Sequence, residues 1–253
     1  MKIMQLNVWL GRLTPLILQL VQQEKPDILT VQEVFRGGLD VKFPDNMFTI
    51  FEQLDDLFAF SDFSPAHSTQ IAHSNVKMGI ATFSNYPITA RRDFFTSGQY
   101  VGDLTRESYV ENSRTLQVIE LDVNGTALHI LNHHGYWTRD AMGDSVSVEK
   151  MQIVADTVKE LGDVPVILAG DFNVVPNSPA MRVFDGLLTD LAATHNVKTT
   201  LSPLRNLHDI PCDHIMINRH IIERDFRVEN DVVSDHLAVI LEFEINQRTE
   251  RSN

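Results

Sequence analysis

The sequence predicts one large α/β domain, and three observations favour that fold class. The chain has 253 residues, a length that suits a single large domain. It opens with two strand-like segments, residues 2–8 and 27–33, with a short helical segment between them. Further along, the apolar run Val166 to Ala169 leads through Gly170 into a turn that favours a strand-to-helix connection. Strand and helix patterns therefore alternate along the chain, as they do in α/β proteins.

The domain organisation follows from the absence of any segment that would divide the chain. The sequence contains no internal repeat and no linker rich in Pro, Gly or Ser. We therefore expect one domain over residues 1–245, followed by a flexible tail over residues 246–253. With 43% hydrophobic residues the chain can bury a substantial core, which excludes disorder as its general state.

Local patterns predict further elements. Residues 113–135 contain two strand-like runs joined at Asn124-Gly125, which is typical of a hairpin. Residues 147–161 carry apolar side chains at helical spacing, and Gly162 is placed to end that helix. Three more segments are predicted to be strands: residues 78–88, 213–218 and 236–245.

Turn and capping residues predict where two helices begin. The first helix is expected to have Thr14 as its N-cap and Pro15 at its first position, and to end before Pro26. A second helix is expected to begin near residues 177–179, just after the strand that starts at Val166. Two regions are predicted to be rich in loops: residues 36–75 and 190–211.

The composition limits the classes of function. A formal net charge of −13 disfavours a broad electrostatic grip on long duplex nucleic acid, because such binding depends on clustered Lys and Arg. The single cysteine, Cys212, excludes an internal disulfide framework and a Cys-rich zinc site. The N-terminal segment lacks the apolar stretch of a signal peptide, and no apolar run reaches membrane-spanning length. We therefore expect a cytoplasmic enzyme or binding protein.

Polar side chains cluster at the ends of the predicted strands. Taken singly, each has an ordinary explanation as a turn residue, a helix cap or a solvated charge. Ligands of open α/β sheets bind outside the carboxyl ends of the strands, where these residues fall. If the last two predicted strands run antiparallel to the others, all of these residues meet at one rim: Asn7, Glu33, His134, Asp171, Asn173, Asp213, Asp235 and His236.

The ordered motifs resemble the endonuclease/exonuclease/phosphatase superfamily, which includes deoxyribonuclease I, exonuclease III and the neutral sphingomyelinases. GDFN at 170–173 and SDH at 234–236 carry most of the resemblance. It implies a four-layer α/β sandwich, in which two facing mixed β-sheets are flanked by helices. Further matching segments extend it over nearly the whole chain: LNVW (6–9), DILTVQEV (27–34), GIATFSNYPI (79–88), SRTLQVIEL (113–121), LNHHG (131–135) and CDHIMIN (212–218).

The resemblance implies a Mg²⁺ site. Glu33 matches the principal metal ligand, Asn7 lies beside it, and Asp235 matches an acidic residue that is a metal ligand in some members. The residue types agree, since Mg²⁺ prefers hard oxygen ligands and usually keeps several waters. Mn²⁺ is a possible substitute, whereas zinc is disfavoured because the ligand set is rich in oxygen and lacks Cys.

The resemblance also implies the catalytic roles. His236 matches the general base that activates water, and Asp213 bonds its imidazole. Histidine suits proton transfer near neutral pH, and a neighbouring carboxylate fixes its tautomer and raises its basicity. Asp171 and Asn173 would orient the nucleophile and bind the scissile phosphate, and His134 would steady or protonate the phosphate oxygens.

Three further residues are candidates for substrate binding. Arg114 aligns with an Arg that some members carry on this strand, although it is equally an ordinary strand cation. Tyr136 and Trp137 follow His134 closely, and such an aromatic pair can stack on a base or a sugar. The alternative is that Trp137 packs against its own loop.

The resemblance implies a Mg²⁺-dependent hydrolase of phosphate esters, and a nuclease-like phosphodiesterase acting on a nucleic acid or nucleotide is the preferred interpretation. The acidic balance favours a small or single-stranded substrate, or a phospholipid head group, over extended duplex. A sphingomyelinase-like phosphodiesterase is therefore an alternative. A non-catalytic binding or scaffold relative is the alternative of another class, which the presence of every acid and histidine disfavours. No obligate protein partner is evident.

Overall fold

The computed structural model describes residues 1–38, 47–71, 73–103, 113–206 and 210–246, so most of the predicted tail lies outside the described residues. Within them, the strands are β1 (Lys2–Asn7), β2 (Ile28–Arg36), β3 (Phe60–Ile71), β4 (Ser74–Ser84), β5 (Ile88–Ser97), β6 (Arg114–Val123), β7 (Thr126–His134), β8 (Val166–Asp171), β9 (Thr189–Asp190), β10 (Asp213–Ile217), β11 (Ile221–Val228) and β12 (Val239–Ile245). The α-helices are α1 (Thr14–Glu24), α2 (Ile50–Asp55), α3 (Ser145–Leu161) and α4 (Leu191–Thr194).

The described strands form two mixed sheets of six strands each. The first sheet has the order β11-β12-β1-β2-β4-β3, and the second has the order β5-β6-β7-β8-β10-β9. β1 runs parallel to β2, and β7 runs parallel to β8, whereas the remaining pairs in the two sheets are antiparallel. The late strands β10 and β12 therefore run antiparallel to β8 and β1, as the rim hypothesis requires.

Three apolar clusters account for the layers. One lies between the sheets and contains Ile3, Ile130 and Ile167 among others. The second covers the outer face of the first sheet and takes in residues of α1 and α2. The third covers the outer face of the second sheet and takes in residues of α3. The predicted four-layer sandwich is confirmed. In the described part of the chain, no helix combines the length and apolar character needed to cross a bilayer.

Alternation along each strand decides what faces the other sheet. In β1, Met4 and Leu6 join the outer cluster, whereas Ile3 joins the cluster between the sheets. Gln5 and Asn7 follow Ile3 at a spacing of two residues, so they also point toward the second sheet. The inward row therefore changes from apolar to polar along the strand.

A layer of buried amides lies between the apolar core and the rim. Gln5 donates from Nε2 to Oε1 of Gln32 at 2.8 Å, and Gln32 donates to Oδ1 of Asn132 at 2.8 Å. Asn132 in turn donates to the main-chain carbonyl of Ala81 at 2.8 Å. These bonds join the two sheets and offset the cost of burying polar groups. The polar end of the sandwich is thus anchored in both sheets.

Several local predictions are corrected. Thr14 is the first residue of α1 rather than its N-cap, and its hydroxyl donates to the carbonyl of Gly11. No α-helix begins at residues 177–179, because Asn177 adopts a left-handed φ of 65° and turns the chain. Residues 36–75, which were predicted to be rich in loops, contain β3. Two further strands, β5 and β11, were not predicted from the sequence. The hairpin at Asn124-Gly125 and the helix ended by Gly162 are confirmed.

Candidate active site

Asp171, at the end of β8, stands at the centre of the rim and is only 2% exposed. Its Oδ2 atom accepts a hydrogen bond from the Asn7 amide at 3.1 Å. The same oxygen lies 3.7 Å from Nε2 of His134 and 3.8 Å from Nε2 of His236. The Asp171 carboxylate therefore lies close to residues from β1, β7 and the segment before β12. Residues of both sheets consequently form one site.

His236 and Asp213 form a buried pair beside this centre. Nδ1 of His236 lies 2.8 Å from Oδ2 of Asp213, and the side chains are 2% and 0% exposed. Thr200 donates to the same Oδ2 at 2.6 Å, and Gln5 donates to Oδ1 at 3.0 Å. Both carboxylate oxygens are therefore held, which fixes the imidazole with Nε2 directed toward Asp171.

Burial and neighbouring charges together set the pKa values of His236, Asp213 and Asp171. Burial alone would lower the pKa of His236, but the carboxylates of Asp213 and Asp171 raise it well above its usual value. Burial would raise the pKa of Asp213, yet the charge and hydrogen bond of His236 hold it below the usual range. Burial raises the pKa of Asp171, and the like charge of Asp213 adds to that effect. The resting site thus favours an imidazolium at His236.

His134 has the opposite character. Burial, reinforced by the positive charge of Arg114, lowers the pKa of His134 well below its usual value. A ring held neutral carries one N–H donor and one acceptor nitrogen. The site therefore offers one charged and one neutral imidazole on either side of Asp171, which is the division of protonation that acid–base chemistry uses.

The GDFN segment is shaped by what it packs against. Phe172 is buried in the outer cluster and stacks on His214 with ring centroids 5.0 Å apart. Asp171 and Asn173 flank it, and the main-chain N–H of Asn173 donates to Oδ1 of Asp171 at 3.0 Å. A side chain at Gly170, which has φ of 154°, would collide with the His133 carbonyl. The glycine is therefore required for this close approach of strand to strand.

Gly135 ties three site elements together. Its carbonyl accepts hydrogen bonds from Nε of Arg114 at 2.7 Å and from the side-chain amide of Asn173 at 3.1 Å. Its N–H donates to the carbonyl of Asp171 at 2.7 Å. Arg114 and Asn173 are consequently oriented by the same peptide, directly after His134.

Glu33 reaches the cleft through a bulge. The pairing of β2 with β4 shifts register between Val31 and Val34, and Glu33 adopts a φ of 56°. Bulges of this kind redirect a side chain. Glu33 consequently lines a narrow cleft together with Arg114 and His134. Its carboxylate makes no hydrogen bond or ion pair with any residue that the structure describes.

The predicted metal ligands offer a donor set that fits a hard cation. Glu33 supplies a half-buried carboxylate that has no hydrogen-bond or ion-pair partner among the described residues. Oδ1 of Asn7 accepts from the Trp9 N–H at 3.0 Å, which leaves a second lone pair. Burial raises the pKa of Asp235, and the nearby negative charge of Glu33 raises it further. Oxygen atoms alone are offered, which suits Mg²⁺.

Asp235 also has a cationic neighbour. Nε of Arg205 lies 3.3 Å from Oδ2 of Asp235, and the Arg205 side chain is 34% exposed. The Ser234 hydroxyl donates to the main-chain carbonyl of Asn7 at 2.7 Å. The same hydroxyl oxygen lies 3.3 Å from Oδ1, the other carboxylate oxygen of Asp235. The SDH segment is thereby fastened to the end of β1.

A second group of possible ligand atoms is less suited to a metal. One atom from each of Asp171, Cys212, Asp213 and His236 lies within 4.8 Å of the others. Burial and the carboxylates of Asp171 and Asp213 raise the pKa of the Cys212 thiol to about 12, and sulfur is a poor ligand for a hard cation such as Mg²⁺. Asp213 and His236 are already bonded to each other. This group is better explained as an acid–base centre.

The aromatic candidates lie in the loop that follows His134. The indole of Trp137 is 52% exposed, and Tyr136 is half-buried. Their part in substrate binding remains a prediction.

Four residues at or beside the site were not predicted from the sequence. Gln5 and Thr200 hold Asp213, Arg205 approaches Asp235, and His67 lines the cleft. Gln5 could have been predicted from the sequence, because it lies two residues before Asn7 and therefore on the same face of the strand. The other three lie in regions predicted as loops, where no pattern pointed to the site.

The fold and the site define a class of protein, a phosphoesterase built on two facing sheets. The sequence profile described as the Endonuclease/Exonuclease/phosphatase family matches residues 4–236. The chain belongs to this family and is a hydrolase that acts on phosphate esters. Comparison with curated protein sequences gave no significant match.

Solved structures show the same fold at low sequence identity. A mannosyl-6-phosphatase of Bacteroides thetaiotaomicron VPI-5482 is 19% identical, with a TM-score of 0.68 over 97% of this chain and 100% of that one. The catalytic domain of human Nocturnin with a bound sulfate is 18% identical, with a TM-score of 0.68 over 97% and 94%. A humanized TDP2 of D. rerio is 13% identical, with a TM-score of 0.65 over 96% and 98%.

Proposed function

We propose that the chain is a Mg²⁺-dependent phosphodiesterase that acts on a small or single-stranded nucleic acid or on a nucleotide. The observation that carries the proposal is the meeting of Asp171 with Asn7, His134 and His236 at a rim that Glu33 also lines. Family membership sets the class of bond, and the net charge of −13 disfavours extended duplex as substrate.

The metal would be held by Glu33, Asn7 and Asp235, whose oxygen donors suit Mg²⁺ and also Mn²⁺. When bound, it would supply Lewis-acid stabilisation of the phosphate oxygens and a positive charge that lowers the pKa of His236 toward neutrality. The protein residues perform the remaining tasks of orientation and proton transfer.

Two groups at the centre can accept a proton from the attacking water. Asp213 holds His236 by Nδ1, so Nε2 is the nitrogen available as the base. Asp171 is the alternative base, because its pKa is raised, chiefly by burial. We assign the role to His236, whose carboxylate partner is held by two further hydrogen bonds. Asp171 then orients the water between the two rings.

The remaining residues would bind the phosphate. The Asn173 amide donates one N–H to Gly135 and keeps the other for a phosphate oxygen. His134, held neutral, can donate a hydrogen bond to a phosphate oxygen without carrying a charge of its own. Arg114 would contribute positive charge, and Trp137 would offer an aromatic face to a base.

A second candidate is a phosphomonoesterase. The cleft beside Glu33 and His134 is narrow, with room for about one water-sized group, so it admits a single phosphate oxygen and not a bulky ester group. The similar fold of a mannosyl-6-phosphatase agrees with such a substrate. A phospholipid head group remains the alternative among diesters.

The test is a panel of substrates assayed with Mg²⁺ and with EDTA. It includes bis-p-nitrophenyl phosphate, p-nitrophenyl phosphate, single-stranded DNA and RNA, nucleotides, a sugar phosphate and sphingomyelin. We expect EDTA-sensitive turnover that Glu33→Ala and His236→Ala abolish, with diesters preferred over monoesters. Full EDTA-sensitive activity in either variant would contradict the proposal, and a preference for monoesters would select the second candidate.

A further inference from the structure

The cleft between Glu33 and His134 contains a histidine that the proposed chemistry does not use. His67 is 2% exposed and lines this cleft, together with Arg114 and Thr115. It belongs to the first sheet, whereas Arg114, Thr115 and His134 belong to the second. His67 therefore faces the candidate catalytic residues across the gap between the sheets.

A bulge in β3 places His67 on this face. Asp62 and Ser64 point toward the second sheet, since both accept hydrogen bonds from the Gln117 amide. Simple alternation would put Ala66 next on that face. The pairing with β4 shifts register between Pro65 and His67, which adds one residue and turns His67 inward.

The backbone around His67 is held on both sides. The N–H of Ser68 donates to the Val101 carbonyl at 2.9 Å, and the N–H of Val101 donates to the Ala66 carbonyl at 3.1 Å. At Gly79, on the facing strand, a side chain would collide with the Ser64 carbonyl. The bulge is therefore tightly packed, and the position of the imidazole is defined by the sheet and not by a loose loop.

Two polar atoms at the cleft lack partners. Nδ1 of His67 and the hydroxyl of Thr115 are buried and make no hydrogen bond with the residues that the structure describes. Buried polar atoms are nearly always paired, so two orphans lining one cleft indicate a ligand group that satisfies them. Burial and the charge of Arg114 lower the pKa of His67 to about 4, so the ring is neutral. A neutral imidazole and a hydroxyl can both donate to an oxyanion.

We propose that His67 is a substrate-binding residue whose imidazole, with the Thr115 hydroxyl, binds a non-bridging oxygen of the phosphate held between Glu33 and His134. The assignment rests on the proposed function, because it presumes a phosphate ester in this cleft. It adds a contact from β3 to a site otherwise built from other strands. The small size of the cleft fits a phosphate oxygen.

The first test separates substrate binding from a purely structural role. His67→Ala, His67→Gln and His67→Asn are compared on bis-p-nitrophenyl phosphate with Mg²⁺. A hydrogen bond to a charged oxygen corresponds to a change of about 10- to 100-fold in affinity, so we expect His67→Ala to raise KM by about that factor. We expect kcat to change much less. One of the two amide variants should restore KM and thereby identify the ring nitrogen that contacts the oxygen.

The matched control is His129→Ala. His129 is also a strand histidine with a buried, unpartnered Nδ1 among the described residues, but it lies at the far end of β7 beside Glu120. We expect it to leave KM unchanged. An unchanged KM in His67→Ala would overturn the proposal, as would an equal loss in all three His67 variants.

The second test does not depend on turnover. Inorganic phosphate with Mg²⁺ should raise the Tm of the wild-type chain, and His67→Ala should show a much smaller rise, with recovery in the rescuing amide variant. Equal rises in wild type and His67→Ala would overturn the role of His67. Absence of metal-dependent turnover in the wild type would contradict the proposed function alone, since phosphate binding is measured separately.

Discussion

Nδ1 of His236 lies 2.8 Å from Oδ2 of Asp213, and this pair is buried at the point where the two sheets meet. The two residues are supported from both sheets, because Gln5 comes from β1 and Asp213 from β10. A carboxylate held in this way fixes the tautomer of the ring and its direction. The geometry therefore makes Asp213 a positioning residue for His236.

The first prediction concerns Asp213→Asn. The amide keeps the shape of the side chain but removes the charge that orients His236 and supports its protonation. We expect kcat to fall by about 10²-fold or more, with a smaller change in KM, because general acid–base catalysis contributes about that much. Steady-state kinetics on bis-p-nitrophenyl phosphate measure this.

The chain provides a matched control for this variant in a second buried His–Asp pair. His214 lies 3.1 Å from Asp190 and stacks on Phe172, and its imidazole has no contact with His236 or with Oδ2 of Asp171 among the described hydrogen bonds and ion pairs. Asp190→Asn should lower the Tm without the selective loss of kcat. If both variants lost activity in proportion to folded protein, Asp213 would have only a structural role.

The second prediction concerns the pH dependence of kcat/KM. Asp213 and Asp171 raise the pKa of His236, and a base acts only when deprotonated. Activity should therefore increase with pH as His236 loses its proton, over a range that bound Mg²⁺ moves toward neutrality. Asp213→Asn removes one cause of the elevation, so its ascending limb should move to lower pH while the plateau falls. An ascending limb that stays in place would contradict His236 as the base, and Asp171 as well, because the charge of Asp213 raises the pKa of both groups.

The third prediction concerns stability and His133. Its ring is fully buried and bonded to the Thr115 carbonyl at 3.0 Å, and burial lowers its pKa from 6.5 to about 4. Between these two values the unfolded chain binds more protons than the folded one, so stability falls as the pH falls from about 6.5 to 4. The contribution of this one group is on the order of 3 kcal/mol in total.

His133→Asn should reduce this dependence, since no imidazole remains to be protonated on unfolding. Denaturant unfolding at several pH values between about 4 and 7 measures it, and the remaining slope includes that of His67, whose pKa is also lowered. His129→Asn, on the same strand but beside Glu120, serves as the control. A variant with the full wild-type slope would show that His133 is not the residue responsible.

The meeting of the candidate catalytic residues at one rim could be predicted from the sequence because strand ends are local features. Asn7, His134 and Asp171 each follow an apolar strand, and the parallel pairing of β7 with β8 brings two of them side by side. The convergence with His236 depended on the antiparallel pairing of β12 with β1, which was a condition of the prediction and is found in the structure. These contacts could therefore be predicted from the directions in which the strands run.

Other parts of the site depend on information that no local pattern contains. Thr200 contacts Asp213 from a segment predicted to be loop, and Gln5 reaches it across 208 positions of sequence. The bulge that turns His67 inward shifts the alternation by one residue, and a shift of this kind is invisible without the partner strand. The same limitation applies to Glu33, although its position after an apolar run made it a candidate.

The fourth prediction concerns metal binding without reference to activity. If Glu33 is the principal ligand, Mg²⁺ binds the folded chain and not the unfolded one, and it should raise the Tm as its concentration increases. At a concentration of about 100 times the dissociation constant, the expected stabilisation is about 2.7 kcal/mol.

Glu33→Gln should abolish most of this Mg²⁺-dependent increase in Tm, because the neutral amide is a much weaker ligand for a hard cation. Glu160→Gln, which alters an exposed acid on α3, should retain it. Equal Mg²⁺-dependent increases in both variants would place the metal elsewhere and leave Glu33 without its predicted role.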